Sequence, residues 1–442
     1  MTESTRLGRA RGKMLPVAIV AAALVAMLAI APLASAASDP IKSGTTTLTI
    51  NGGFSKSAKK AGIKITAVKP SKIKGNKATF AVTGGEIEPT TGAGTVTHSG
   101  GLKITWGKKS VTLKSLTIDT KGKSISAKVG GKTVKVASLA GTSTARLGFG
   151  ASVSAKKVKL TSAGAKALNS KLTPAPTKTK VKKNGKTIVK TVKVKPPFKA
   201  NMVLGASSTE VEPETVAVLP TGSMVFTGNP TLLTKLNDVE TKLVVIPPTT
   251  AAANVFTSPL SGGTISPLGT TGTVNSSGGL VLTQVLPTSA TTAITTKITL
   301  GSIGVDLSAK TASVEVIGES NAESEGKKPL NVGNLGRSSI ADLTIGSVVP
   351  SPATRTVTVS ASGTIQAVAA EVIEGFVKVY QGYYAQVAAL SLKKEIEEGK
   401  KLPMTEAEII AAGAKAAEAK VANDHIKAGE PLGTFSFVAT GE

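Results

Sequence analysis

Apolar and polar residues alternate in short runs along most of this chain. Residues 46–50 (Thr-Thr-Leu-Thr-Ile), 103–106 (Lys-Ile-Thr-Trp), 111–113 and 116–118 step between the two classes with a period of two. Gly-Gly, Gly-Lys and Thr-Lys-Gly bound them. Successive side chains of a strand point to opposite faces, so this pattern predicts short antiparallel strands.

The period changes to that of a helix in a few places. Residues 55–62 predict one short helix, and 161–169 another with Thr161 as its N-cap. Val368, Val372, Phe376, Tyr380, Tyr383 and Val387 recur on one helical face, predicting an amphipathic helix over 366–398. Thr405 and Glu408 have the spacing of a capping box, which predicts a second helix reaching Asn423, with Pro403 between the two. The fold class is therefore mainly β, with short helices and one helical hairpin at about 366–423.

The strand pattern occurs twice. Residues 84–102 match residues 262–280 at a constant offset of 178, with eleven of nineteen positions identical. The shared frame reads GG-x-I-x-P, then GTV-x-x-SGGL. A weaker echo relates 198–205 to 426–433, where Lys, Ala, Leu and Gly coincide at an offset of 228. The second copy therefore carries about fifty extra residues between the two echoes, where the helical hairpin falls. This predicts two tandem antiparallel β-sandwich-like domains, 37–209 and 210–442.

The start of the chain follows different rules. Arg6, Arg9, Arg11 and Lys13 precede an apolar run over 14–33, and Ala34-Ser35-Ala36 follows. Cations, an apolar stretch and small residues in that order are the anatomy of a secretory signal peptide over 1–36, cleaved after Ala36; the rival reading is a retained anchor, since the run is nearly long enough to span a bilayer. No second apolar stretch has spanning length, so the expected mature protein is secreted or held at the cell surface without a transmembrane segment. The chain has no cysteine, which excludes disulfides, thiolate metal sites and a cysteine nucleophile.

Charge separates the two copies. The net charge of +26 divides into +29 over 37–209, where only four acidic residues occur, and −6 over 210–442. So basic a half points to a polyanion as partner, and an exported protein meets anionic envelope polymers rather than nucleic acid. The alternative is a lysine surface that only maintains solubility. Residues 176–196 concentrate the feature. Two alternating runs flank Asn184-Gly185, the preferred chemistry of a tight hairpin turn. Lys178, Lys180 and Lys182 fall on one face, and Lys183 and Lys186 flank the turn. These five are the candidate polyanion-binding residues, although lysines also protect an exposed edge from aggregation.

Candidate chemistry is sparse. His98 and His425 are the only histidines. His98 lies on a repeat strand and is either an iron ligand or a strand-surface residue; His425 follows Asp424 near a helix end, where a cation complements the dipole. Glu86 and Glu88 flank a turn on an expected solvated strand, and the second copy has Thr264 and Ser266 there. No catalytic or phosphate-binding signature occurs, so no catalytic or metal site is assigned and the chain reads as a non-enzyme. All three tyrosines, Tyr380, Tyr383 and Tyr384, lie on the predicted long helix. A phenolate can ligate ferric haem, while an aromatic stripe at this spacing also serves as core.

The order of strand, short Lys/Ala helix, GG-x-I-x-P, GTV-x-x-SGGL, late Ala/Leu helix and LG-containing last strand resembles the HtaA domain of exported haem-acquisition proteins of Gram-positive actinobacteria. The resemblance implies a cell-surface binding protein with haem as a possible cofactor. Family members with haem carry an early W-G-V-K-x-S-F-R-x-Y motif, whose tyrosine ligates iron, and a histidine after an F-x-G turn. Here the early segment, 52–61, has neither Trp nor Tyr, and Lys108 stands after the Thr105-Trp106-Gly107 turn. Residues 231–245 of the second copy also lack Tyr and His. If haem is the small ligand, Tyr380, Tyr383, Tyr384 or His98 must replace the family's ligands. The alternative reading is a structural or adhesive wall protein that binds anionic polymer.

Overall fold

The computed structural model describes residues 38–174, 177–183, 186–192, 194–289, 292–321 and 333–442, with backbone alone over 177–192. The first half contains β1 (Asp39–Ile50), β2 (Ile63–Val68), β3 (Lys72–Lys74), β4 (Lys77–Ile87), β5 (Gly94–His98), β6 (Gly101–Trp106), β7 (Lys109–Asp119), β8 (Ser124–Val129), β9 (Lys132–Leu147) and β10 (Gly150–Leu160). The pair β11 (Thr177–Lys183) and β12 (Lys186–Val192) follows, then β13 (Val203–Pro213). Its helices are α1 (Gly52–Lys60) and α2 (Ser162–Leu172).

The second half contains β14 (Val216–Ala217), β15 (Ser223–Gly228), β16 (Thr241–Ile246), β17 (Thr250–Ala252), β18 (Val255–Ile265), β19 (Gly272–Ser276) and β20 (Gly279–Pro287). It continues through β21 (Ala293–Asp306), β22 (Thr311–Ser320), β23 (Gly333–Ser351), β24 (Thr356–Ile365) and β25 (Pro431–Thr440). Its helices are α3 (Pro230–Asp238), α4 (Ala367–Glu397) and α5 (Glu406–Val421).

Both halves are mainly β, as the alternation predicts, and both sheets close on themselves. The first runs β4, β1, β13, β10, β9, β8, β7, β5 and returns to β4; β6 and then β2 extend from β7, and β3 from β4. The second runs β18, β15, β25, β24, β23, β22, β21, β19 and returns to β18; β20 and then β16 extend from β21, and β17 from β18. Apart from the two-residue β14, which pairs with β18, the two orders are the same strand for strand. Closure leaves no free edge within each ring of strands.

The repeated glycines fix the frame. Gly85 (φ 119°) and Gly263 (φ 131°) hold conformations that L residues rarely adopt. A Cβ on Gly85 would lie 1.9 Å from the carbonyl oxygen of Thr95, and one on Gly263 would lie 2.0 Å from that of Thr273. The chains there approach too closely for any side chain. Inside each ring the alternate positions form a separate apolar core. Ile87, Val96, Val158 and Leu160 belong to the first, and Ile265, Leu286, Ile365 and Phe435 to the second. Each such side chain contributes about 1.5–3 kcal/mol on burial.

The helices form largely where the pattern places them. α1 starts before the predicted 55–62 because the Asn51 side chain accepts the Phe54 N–H and so caps an earlier turn. Thr161 caps α2 by accepting the Gly164 N–H. The Thr405–Glu408 capping box is formed at the start of α5. α2 and α4 begin at equivalent places: Thr161 N–H donates to Val136 O on β9, and Gln366 N–H donates to Ile340 O on β23. The long helical hairpin thus grows from the position that α2 occupies in the first half.

Candidate ligand-binding site

Each half encloses space beneath its first helix. In the second half Asn229 caps α3 by accepting N–H bonds from Thr231 and Leu232. That sets Leu232 and Leu236 against the sheet, both buried. A cavity of about 70 Å³ remains among Leu232, Leu233, Leu236, Leu243, Leu280 and Phe226. A second cavity, of about 60 Å³, lies between Val368, Val372 and Phe376 of α4 and the sheet residues Ile298 and Val316. The two share Leu282, Leu300, Ile340, Ile373 and Leu432. No charged side chain lines either one.

In the first half the corresponding space is larger and different in chemistry. A cleft of about 430 Å³ lies between α1, β2 and β3, lined by Ile50, Ile63, Ile65 and Ile73 together with Lys59 and Lys64. Four lining positions coincide at the offset of 178: Ile50 with Gly228, Ser55 with Leu233, Ala58 with Leu236, and Ile65 with Leu243. Ser55 and Ala58 leave open what the two leucines fill in the second half.

The structure distributes the sequence-predicted residues over separate places. His98 is not on the surface but inside the first ring, 5% exposed. Its Nδ1 lies 3.1 Å from Leu116 O, which can only accept, so Nδ1 carries the proton. Nε2 then accepts from Thr46 Oγ1 at 2.6 Å, and Thr46 Oγ1 in turn meets Thr209 Oγ1 at 2.9 Å. Burial pushes the imidazole pKa below its ordinary value, partly opposed by the bond to Leu116. Ser276, its counterpart, reaches Ile303 O at 3.3 Å from the same place in the second ring.

Tyr380, Tyr383 and Tyr384 pack on the second core. Tyr380 is buried, and its ring centroid lies 6.4 Å from that of Tyr383 and 6.1 Å from that of Tyr384. Burial, and then the Glu240 charge, raise the Tyr380 pKa, so the phenol stays protonated. His425 bonds Glu374 Oε1 through Nδ1 at 2.6 Å, and the other oxygen of Glu374 accepts the Ile426 N–H.

Glu88 differs from its expected solvated position. It is buried and accepts the backbone N–H groups of Thr90 and Thr91, each at 2.6 Å. Burial alone would raise its pKa, and these hydrogen bonds outweigh it and leave the value lowered. Asp39 was not singled out by the sequence. Burial raises its pKa to about 6 against the opposing charge of Arg146.

The lysines form the largest polar feature. Twenty-four lysines of the first half are exposed among the described residues. Of the six acidic residues from Asp39 to Pro213 only Glu86, Glu210 and Glu212 are exposed, because Asp39 and Glu88 are buried and Asp119 is half-buried. No ion pair among the described residues involves these lysines. Lys178, Lys180, Lys182, Lys183 and Lys186 lie on β11 and β12, which pair in register from Thr177↔Val192 to Lys183↔Lys186. The Asn184-Gly185 turn and the Ala36 site lie outside the described residues. No described helix is long and apolar enough to cross a membrane, and no described group of three His, Cys, Asp or Glu residues is placed to hold a metal ion.

No family model matches the chain, and no curated protein matches it in sequence. Among solved structures, the C-terminal domain of HtaA from Corynebacterium glutamicum aligns with 51% of this chain and 98% of its own, at 12% identity and a TM-score of 0.30. Heme binding protein HtaB from the same organism aligns with 52% of this chain and 95% of its own, at 12% identity and a TM-score of 0.29. At these scores the overlays do not establish a shared fold.

Neither His98 nor the lining of the cavities offers haem a ligand among the described residues. Both nitrogens of His98 are engaged inside the first ring. No Tyr or His lines the cleft or either cavity. The second-half cavities, at about 60 and 70 Å³, are far below the roughly 300–1,000 Å³ of a small-molecule pocket.

Proposed function

We propose that the protein is an exported, non-catalytic binding protein of the cell envelope. It is built from two tandem β domains, and the first holds an anionic polymer through its lysine surface. One observation carries this reading: twenty-four exposed lysines stand against three exposed carboxylates, Glu86, Glu210 and Glu212, among the described residues from Asp39 to Pro213. Such a field concentrates and retains a polyanion by releasing its counterions. The basic n-region, apolar run and Ala34-Ser35-Ala36 site support export. Lys178, Lys180, Lys182, Lys183 and Lys186 add to the positive charge of the same half and are the candidate contacts.

Retention of the full mature chain on purified cell walls, repeated across salt concentrations, tests this reading. Binding should fall steeply and linearly on logarithmic axes. Replacing Lys178, Lys180 and Lys182 with Gln should reduce the slope by about two to three. Salt-independent retention, or none at low salt, would refute it.

Haem as the small ligand has its own test. Hemin at micromolar concentration should give no Soret band of Tyr or His ligation, and a ligated band lost in Tyr383→Phe or His98→Ala would reinstate haem carriage.

A further inference from the structure

We propose that the cleft between α1, β2 and β3 binds the alkyl chain of an anionic amphiphile, with its phosphate headgroup against Lys59 and Lys64. This rests on the envelope-binding reading and adds a lipid-type ligand to the polymer. The cleft holds about 430 Å³, within the roughly 300–1,000 Å³ of small-molecule pockets. Its apolar lining comes from Ile50, Ile63, Ile65 and Ile73. It stays open for two reasons. β2 pairs only with β6 and β3 only with β4, so neither fills the gap between them. α1 presents Ser55 and Ala58 where α3 presents Leu233 and Leu236.

The mixed lining selects the ligand class. A bare anion leaves four isoleucines uncovered, and a neutral chain leaves two cations without a partner. An amphiphile meets both, and each methylene it buries multiplies affinity about fourfold. Charge complementarity fixes the sign of the headgroup. Lys59 and Lys64 line the cleft, and no acidic residue does. In the second half Asn237 replaces Lys59 at the same offset, and the space there is lined without charge.

The only tryptophan of the chain is a built-in reporter. Trp106 pairs with Ile63 across β2 and β6 and packs at the border of the first core. The full mature chain is titrated with dodecyl phosphate below its micelle-forming concentration, read by Trp106 emission and by calorimetry. Saturable binding is expected. Inorganic phosphate should give none, and dodecyl maltoside should bind at least about tenfold more weakly.

Ile73 is half-buried on the short strand β3, where substitution leaves the ring of strands intact. Ile73→Asp should lower dodecyl phosphate affinity at least about tenfold and leave retention on cell walls unchanged. Lys59→Gln combined with Lys64→Gln should bring the two amphiphiles to similar affinity. Equal binding of both amphiphiles by the unaltered chain, undiminished binding by the Ile73 variant, or no heat and no emission change would each overturn the proposal. Loss of wall retention with Ile73-dependent amphiphile binding intact would instead remove the polymer reading and leave this one standing.

Discussion

The two halves share one frame and differ in what fills it. Eight strands close in the same order in each, and Gly85 and Gly263 make the same close crossing. Beneath the first helix, Ser55 and Ala58 leave a lysine-lined cleft in one half, while Leu233 and Leu236 reduce the space to small apolar cavities in the other. Between the last two strands of the ring, the first half carries α2 and the basic pair β11–β12, and the second carries the α4–α5 hairpin. Backbone positions that tolerate no side chain have been kept, whereas side chains facing the helix or the solvent have diverged.

The strongest test of that equivalence acts on the glycines. Gly85→Val and Gly263→Val should each destabilise their own half by about 3 kcal/mol or more, since each adds a backbone clash to an unfavourable φ. Denaturant unfolding followed by Trp106, which reports the first half alone, checks this. A Gly263 variant that moved the Trp106 transition as far as the Gly85 variant would show that the halves unfold as one unit.

A smaller effect is expected at His98. His98→Ser copies the second-half residue and should cost about 2 kcal/mol through lost packing and hydrogen bonds to Thr46 and Leu116. Its pH dependence has a definite sign. The folded-state pKa lies below the unfolded value of 6.5, so the unfolded chain binds more protons as pH falls. The contribution is complete above pH 6.5 and is lost as pH drops from there toward the folded value. The variant should show no such loss, and an unchanged acid response in unfolding curves would assign it elsewhere.

The smallest effect concerns helix starts. Thr161 caps α2, but Gln366 makes no side-chain cap for α4. Gln366→Thr should therefore stabilise the second half by about 0.5–1 kcal/mol, measured as a rise in its thermal midpoint. No gain would mean that the two helix starts differ in backbone geometry despite their matching bonds to β9 and β23.

The sequence reveals the elements better than it reveals their closure. Alternation marks β6 and β7, the Thr405–Glu408 spacing marks α5, and GTV-x-x-SGGL marks β5 and β19 with the turns that follow. What it does not show is that β13 returns to pair with β1, from Ile41↔Pro213 to Ile50↔Gly205, because that pairing is distant along the chain. The same limit hides the site. His98 shares the inward face of Val96 by alternation, and only its polar ring suggests the surface; ring closure supplies the Thr46 and Leu116 partners that satisfy it inside. Glu88 reads as solvated until Thr90 and Thr91 fold back over its carboxylate. Ser55 and Ala58 carry no chemical signal at all, and their importance lies in the room they leave.

One consequence follows from the place of β13 and β25. Each is the last strand of its half, and each bridges the first strand of the ring in chain order, β1 or β15, to the strand before the elaboration, β10 or β24. Neither ring can shut until its final segment has been delivered, and the pairing that shuts it spans nearly the whole half, which makes assembly slow. A chain made from its start therefore remains an open ribbon through most of its synthesis, and the second half locks only when Thr440 has been added.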